Sequence, residues 1–133
     1  MSKLAERMTG AKIEPWIGVD LDGTLAKNDD GKKYDPTSIG EPIGPMMDRV
    51  KKWVKAGKKV KIFTARADDE IAVNAVKKWL KKHDPDDEYD LGDLEVTNLK
   101  DCGMTELWDD RAVGVEKNTG KVSDSIVDIL LRR

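Results

Sequence analysis

The sequence predicts an α/β domain built on a mostly parallel central sheet. Short apolar runs alternate with amphipathic segments along the chain, which is typical of strands connected by helices. The length of 133 residues is about that of one domain, so one core is expected. Four polar clusters each follow an apolar run, as they do at the carboxyl edge of a parallel sheet. Right-handed crossovers are expected between the strands.

The first half of the chain contains a strand, a loop and a helix. A strand is predicted at residues 16–20, WIGVD, because this run is short, apolar and β-compatible. Residues 28–44 are rich in Gly, Pro and Asp, which predicts a surface loop or a small flap. Pro45 suits a first helical turn and Gly57 a C-terminal cap, so a helix is expected over about 45–56.

The second half continues the alternation. The run KKVKIFT predicts a strand at about 59–64, ending in Thr64. Acidic residues at 68–70 and lysines in the last turns predict a helix over about 70–82. The remaining expected elements are a weak strand at 94–98, an apolar stretch at 106–108, a fifth strand at 112–115 and a helix of about 123–132 capped by Ser123.

Composition limits the possible partners and compartment. The 24 Lys and Arg nearly balance the 26 Asp and Glu, and the net charge of -2 gives no general attraction to nucleic acid or an anionic membrane. Cys102 is the one cysteine, so no intramolecular disulfide can form. No apolar run is long enough to span a bilayer, and MSKLAERMTG lacks the apolar segment of a secretory signal. A cytoplasmic protein with a single domain over 1–133 is expected.

Polar side chains at the ends of the apolar runs form the candidate site. The clusters are Asp20 with Asp22, Thr64, Lys100, and Asp109 with Asp110. Since the carboxyl ends of parallel strands meet at one edge of the sheet, these side chains are expected to converge there. Several adjacent carboxylates cannot all stay ionised without a countercharge, and Mg²⁺ is the hard cation that fits best.

Three other features point to a phosphoryl group at this edge. Lys100 supplies a positive point charge and Thr64 a hydroxyl donor. Gly23 permits a turn that other residues resist, and successive backbone N–H groups in such a turn can hold an anion. The residues therefore indicate phosphoryl transfer.

The same residues resemble the four motifs of the haloacid dehalogenase (HAD)-like hydrolases. DLDGTL at 20–25 is similar to the first motif, IFTAR to the second, VTNLKDCGM to the third and ELWDDRAV to the fourth. The resemblance covers about residues 16–120. It is strongest to small uncharacterised bacterial and phage members, and it extends to the phosphatase domain of phage polynucleotide kinases. It implies a Rossmann-like three-layer sandwich and Mg²⁺-dependent phosphatase activity.

The resemblance also implies a role for each matched residue. Asp20 would be the nucleophile that forms an aspartyl-phosphate, and Asp22 would transfer the proton. Thr64 would hold the transferring group and Lys100 would neutralise it. The implied metal site consists of Asp20, Asp22 through its backbone carbonyl, Asp109, and Asp110 through a bound water or ligand. The implied phosphate contacts are Leu21, Gly23, Ala65 and Lys100.

The spacing of the motifs leaves no room for a cap domain. About 20 residues separate Leu25 from Pro45, enough for a flap, and one helix with its loops fills the span from Thr64 to Lys100. An open site suits a large phosphorylated substrate, such as a nucleic-acid end or a protein, or closure by a second subunit. A nucleotide or sugar phosphate remains an alternative, as do a monomer and a homodimer, and no membrane partner is expected.

Other interpretations remain beside the phosphatase. The chain could be a non-catalytic Mg²⁺- or phosphate-binding module, or a phosphoacceptor signalling domain. In such a signalling domain the acidic pair ends the first strand and the phosphoacceptor aspartate lies on a later strand, whereas IFTAR has no aspartate at its strand end. A calcium-binding loop is excluded because its glycine would fall at Leu25. Arg66 is interpreted as an exposed loop arginine, with a substrate phosphate contact as the alternative. Cys102 is interpreted as an inert small side chain.

Overall fold

A four-stranded parallel sheet forms the centre of the molecule. The computed structural model describes residues 13–29 and 31–131. The strands lie in the order β3-β2-β1-β4, and all three pairings are parallel. Ile17 is paired with Val60 of β2, and Val19 with Trp108 of β4. The parallel sheet predicted from the alternation of elements is thus confirmed. The strands are β1 (Trp16–Val19), β2 (Val60–Phe63), β3 (Glu95–Thr97) and β4 (Met104–Trp108).

Within the described ranges, three α-helices accompany the sheet: α1 (Gly44–Lys55), α2 (Glu70–Lys82) and α3 (Ile126–Leu131). Pro45 stands in the first turn of α1, where a missing backbone N–H costs nothing. Asp69 caps α2, since its carboxylate accepts a hydrogen bond of 2.9 Å from the backbone N–H of Ile71. Short 3-10 turns occupy Ala65–Asp68 and Leu91–Asp93. None of the helices in the described ranges is long and apolar enough to cross a membrane.

Both long helices cover the same face of the sheet. Alternate residues of a strand point to opposite faces, and the core contains the set that includes Ile17 and Val19 of β1 and Val60 and Ile62 of β2. The helix side chains buried in this core are Met46, Met47 and Val50 of α1 and Val76, Trp79 and Leu80 of α2. The described residues thus place one helical layer against the sheet.

The connection from β3 to β4, residues 98–103, is fastened to the opposite face of the sheet. Asp101 accepts hydrogen bonds from Trp16 Nε1 at 2.8 Å and from the Gly103 backbone N–H at 2.7 Å. The Lys61 ammonium lies 2.8 Å from Glu95 and 3.9 Å from Asp101, and 4.4 Å from the ring centroid of Trp16. We call Trp16, Lys61, Glu95 and Asp101 the Lys61 cluster.

The structure differs from the sequence prediction in the last part of the chain. Residues 112–115 form no strand, and Val115 makes only an isolated bridge with Val122. Both valines are exposed, and a β-prone run without a packed neighbour gains little from extended pairing. Helix α3 begins at Ile126, so Ser123 does not cap it. Residue 132 of the predicted helix and the first twelve residues lie outside the described ranges.

Candidate metal-binding and active site

The pairing of β1 with β4 brings three carboxylates together. The backbone N–H of Asp20 donates to the Trp108 carbonyl at 2.9 Å, so the chain after β1 starts beside the end of β4. Asp109 and Asp110 follow Trp108 directly. Carboxylate oxygens of Asp20, Asp109 and Asp110 lie within 4.8 Å of one another. We call these three residues the carboxylate cluster.

Thr24 links the two segments that carry the cluster. Its side chain is buried, and its hydroxyl oxygen accepts a hydrogen bond of 3.0 Å from the Asp110 backbone N–H. The same hydroxyl lies 3.4 Å from Asp20 Oδ2 and 3.2 Å from Asp110 Oδ1. A hydroxyl has one hydrogen, so it donates to one of these carboxylates at a time. Thr24 therefore fixes the position of the loop after β1 relative to Asp110.

Gly23 is required by a close approach as well as by its backbone conformation. Its φ is +89°, and a Cβ atom at this position would lie 2.5 Å from Asp110 Oδ2. The Gly23 backbone N–H donates to the Ala26 carbonyl at 2.8 Å, and the Leu21 N–H donates to the Asp20 carboxylate. These two N–H groups, predicted to contact a phosphate, are therefore used within the loop itself.

The electrostatics of Asp20 reflect its position in the cluster. Burial is the largest cause that raises the pKa of Asp20, followed by the negative charges of Asp109 and Asp110. The Leu21 N–H opposes this by stabilising the carboxylate, and the net result is a pKa raised to about 7. A cation at the cluster would offset this repulsion.

The donor set of the cluster fits Mg²⁺. This ion takes oxygen ligands at about 2.0–2.1 Å in an octahedron, so its adjacent ligands lie roughly 3 Å apart. Carboxylate oxygens that all lie within 4.8 Å of one another are close enough to share one ion. Of the predicted metal residues, Asp20, Asp109 and Asp110 are brought together. The carboxylate of Asp22 is not a member of this cluster, and the role of its carbonyl stays a prediction.

Asp22 is paired with Arg66. Arg66 Nε lies 2.8 Å from Asp22 Oδ2, and Nη2 lies 2.9 Å from Oδ1, which is a bidentate pair. Arg66 is 8% exposed, so its interpretation as an exposed loop arginine was wrong. A buried guanidinium is stable only when it is paired, and Asp22 supplies that partner. The available signal was the position of Arg66 directly after Thr64-Ala65, in the turn that leaves β2.

Thr64 lies at the carboxyl end of β2 and faces a cavity that Asp20 and Asp109 also line. Its backbone N–H donates to the Thr97 carbonyl at 2.9 Å, and its hydroxyl oxygen accepts from the Arg66 backbone N–H at 3.2 Å. The hydroxyl hydrogen is thus left for a ligand. Thr64 and Ala65 line an open cavity of about 960 Å³ together with Asp20, Asp22 and Asp109.

Residues 27–29 and 31–41, which we call the flap, contribute many of the side chains that line this cavity. The two ends of the flap are joined by a hydrogen bond of 2.8 Å from the Lys27 N–H to the Glu41 carbonyl. Trp79 Nε1 of α2 donates to the Gly40 carbonyl at 3.0 Å. The flap contributes Lys32, Lys33 and Tyr34 to the lining of the cavity. The predicted flap thus lies over the predicted site.

Lys100 is not brought to this site. It is exposed and does not line the cavity, although the sequence predicted that it would face the carboxylates. After Thr97 the chain has six residues in which to reach the amino end of β4, and Asp101 is already bound to Trp16 and Lys61. Because β3 and β4 are parallel strands at opposite edges of the sheet, the connection between them must return to the amino ends of the strands, which leads the chain away from the carboxyl edge.

No protein-family model matches the chain, and neither a curated protein nor a solved structure is significantly similar to it. The class of the protein is defined by its own fold and site: it is an α/β protein with a parallel sheet and a carboxylate cluster at the carboxyl edge of that sheet.

Proposed function

We propose that this protein is a Mg²⁺-dependent phosphomonoesterase of the HAD-like type that works through an aspartyl-phosphate on Asp20. The observation that carries the proposal is the carboxylate cluster at the end of β1, with Asp22 two residues further along and lining the same cavity. In a cluster that only stabilises the fold, cationic side chains would lie among the carboxylates and favour their ionised forms. Here the charges of Asp109 and Asp110 raise the pKa of Asp20, which is typical of a functional site.

In the first step, a carboxylate oxygen of Asp20 forms a bond to phosphorus while the bond from phosphorus to the leaving oxygen breaks. Asp22 gives its proton to the leaving oxygen. Its pairing with Arg66 is compatible with this role, because each carboxylate oxygen has two lone pairs. Thr64 supports the transferring group by donating its hydroxyl hydrogen.

In the second step, a water oxygen attacks the phosphorus of the aspartyl-phosphate. The water's proton goes to the Asp22 carboxylate, and the bond between phosphorus and Asp20 breaks to release phosphate. Asp20, Asp109 and Asp110 would hold Mg²⁺, which supplies positive charge to the phosphoryl oxygens when bound. The open cavity beside the flap accommodates a leaving group larger than phosphate.

The proposal is tested by phosphate release from a panel of phosphomonoesters. The panel contains 3′- and 5′-phosphorylated DNA and RNA, nucleotides, sugar phosphates and a phosphopeptide, each with Mg²⁺ or with EDTA. We expect Mg²⁺-dependent release that Asp20→Asn abolishes. Asp48→Asn, the same change on the exposed side of α1, is the matched control and should retain full activity. No release from any substrate by the folded protein would contradict the proposal.

A non-catalytic Mg²⁺-binding module is the second candidate, and the position of Lys100 favours it. Phosphoryl transfer benefits from a cation beside the transferring group, and Lys100 lies outside the cavity. Calorimetry with Mg²⁺ alone distinguishes the two candidates. Binding that Asp109→Asn removes, in a protein that releases no phosphate from the panel, would identify the module.

A further inference from the structure

The guanidinium of Arg66 contacts the flap as well as Asp22. Nη1 lies 3.2 Å from the Asp35 carbonyl and 3.3 Å from the Pro36 carbonyl, and Nη2 lies 3.0 Å from the Ser38 carbonyl. With the Asp22 contacts, all three guanidinium nitrogens are hydrogen-bonded. The guanidinium also lies 5.1 Å from the ring centroid of Tyr34. One buried side chain therefore joins Asp22, in the loop after β1, to the middle of the flap.

These contacts hold the middle of the flap against the rest of the molecule. In the part of the chain that the structure describes, the hydrogen bonds from residues 34–38 to the body of the molecule all go to Arg66. The remaining bonds of this segment are internal, from Thr37 and Ser38 to Asp35. Exposed loop backbone held by few contacts opens at low free-energy cost.

We propose that Arg66 is a positioning residue that latches the flap to Asp22, so that closing the flap and orienting the Asp22 carboxylate are one event. The guanidinium is a planar fork with donors at fixed angles. The flap carbonyls fix its plane, and this plane fixes the orientation of the bidentate Asp22 carboxylate. The functional meaning of orienting Asp22 rests on the proposed phosphatase activity, whereas the latch itself does not.

Limited trypsin digestion tests the latch without any activity assay. Lys32 and Lys33 are exposed trypsin sites in the flap, but a protease must bind several residues in extended form, so cleavage there requires the flap to open. Arg66→Lys keeps a positive charge and a trypsin site while removing the fork. Asp22→Asn removes the partner charge and leaves Arg66 intact.

We expect both variants to be cleaved after Lys32 and Lys33 about tenfold faster than the wild type, the order of effect for losing a charge-assisted hydrogen bond in an opening equilibrium. Arg111→Lys is the matched control, an arginine lining the same cavity, and it should leave the rate unchanged. Wild-type cleavage rates in both folded variants would overturn the proposal. If Arg66→Lys does not fold, Asp22→Asn alone decides.

Kinetics extend the test if the wild type releases phosphate. A positioning role predicts that Arg66→Lys lowers kcat about tenfold with KM changed less than about twofold, and that Arg66→Gln is worse than Arg66→Lys. Equal, small effects of both substitutions on kcat would contradict positioning. Absence of any phosphate release by the wild type would contradict the phosphatase proposal and leave the cleavage result as the test of the latch.

Discussion

Two groups of charged side chains lie on this sheet, and their surroundings differ. In the Lys61 cluster, the Lys61 and Asp101 side chains are 7% and 6% exposed, and each has a partner of opposite charge or a hydrogen-bond donor. In the carboxylate cluster, three acidic groups face one another, and their repulsion contributes to raising the pKa of Asp20 to about 7. Removing one partner from the first cluster would leave a buried charge unpaired, whereas in the second cluster a bound cation would offset the repulsion.

Removing Lys61 should have the largest effect on stability. Lys61→Met leaves the buried Asp101 carboxylate without its cation, and we expect a loss of about 3 kcal/mol in the free energy of unfolding, measured in urea. Lys59→Met is the matched control, because Lys59 pairs with Glu14 at the surface and exposed pairs contribute less than about 1 kcal/mol. Equal losses in the two variants would contradict a structural role for the Lys61 cluster.

Gly23→Ala should have the next largest effect, because it acts on the carboxylate cluster in two ways. The positive φ disfavours alanine, and the new Cβ would displace the Asp110 carboxylate. We expect a loss of about 2 kcal/mol together with weaker Mg²⁺ binding. Gly120→Ala has a φ of +75° with open space around the new Cβ, so it isolates the backbone contribution, about 1 kcal/mol. Similar Mg²⁺ affinities in the two variants would show that Asp110 is not a ligand.

Asp20→Asn should change how stability depends on pH. The folded-state pKa of Asp20 is about 7 against an ordinary 3.8, so the wild type loses stability relative to the variant as the pH rises from about 4 to 7. Without divalent cations, we expect equal melting temperatures near pH 4 and a higher value for Asp20→Asn at pH 8. A wild type with a higher melting temperature than Asp20→Asn at pH 8 would contradict this prediction.

Mg²⁺ should reduce that difference at pH 8. A ligand at ten times its Kd stabilises the folded state by about 1.4 kcal/mol, and Asp20→Asn should gain less because it lacks a ligand charge. Thermal melts of both proteins over a series of Mg²⁺ concentrations measure this. Identical responses would exclude Asp20 from the metal site.

Lys100→Ala should have the smallest effect. Lys100 is exposed and is not among the residues that line the cavity, so we expect a change within about 0.5 kcal/mol in stability and no change in Mg²⁺ binding. Calorimetry and urea unfolding measure both. A large loss of phosphate release in this variant would mean that residues 98–103 reach the site during the reaction.

The predictions were correct where interactions between residues close in sequence determine an element, and wrong where contacts between distant residues determine it. The bounds of α1 and α2 follow from local signals such as Pro45 and Asp69, which act through adjacent backbone groups. The prediction of a strand at 112–115 was wrong, because a strand needs a neighbouring strand to pair with and no local pattern reveals whether one is there. The pairing of Arg66 with Asp22 joins residues 44 positions apart, so the local pattern placed Arg66 in the turn after β2 but did not reveal its partner.

The sequence by itself determined which side chains end the strands, because apolar runs followed by polar residues mark where each strand leaves the core. It thereby predicted that Asp20, Asp22, Thr64, Lys100, Asp109 and Asp110 would lie at one edge of a parallel sheet. Only the tertiary structure decided which of them meet. The neighbouring positions of β1 and β4 create the carboxylate cluster, while the short return to β4 carries Lys100 away from it. Strand order and the path of a connection are properties of the packed chain, since they depend on contacts between residues distant in sequence.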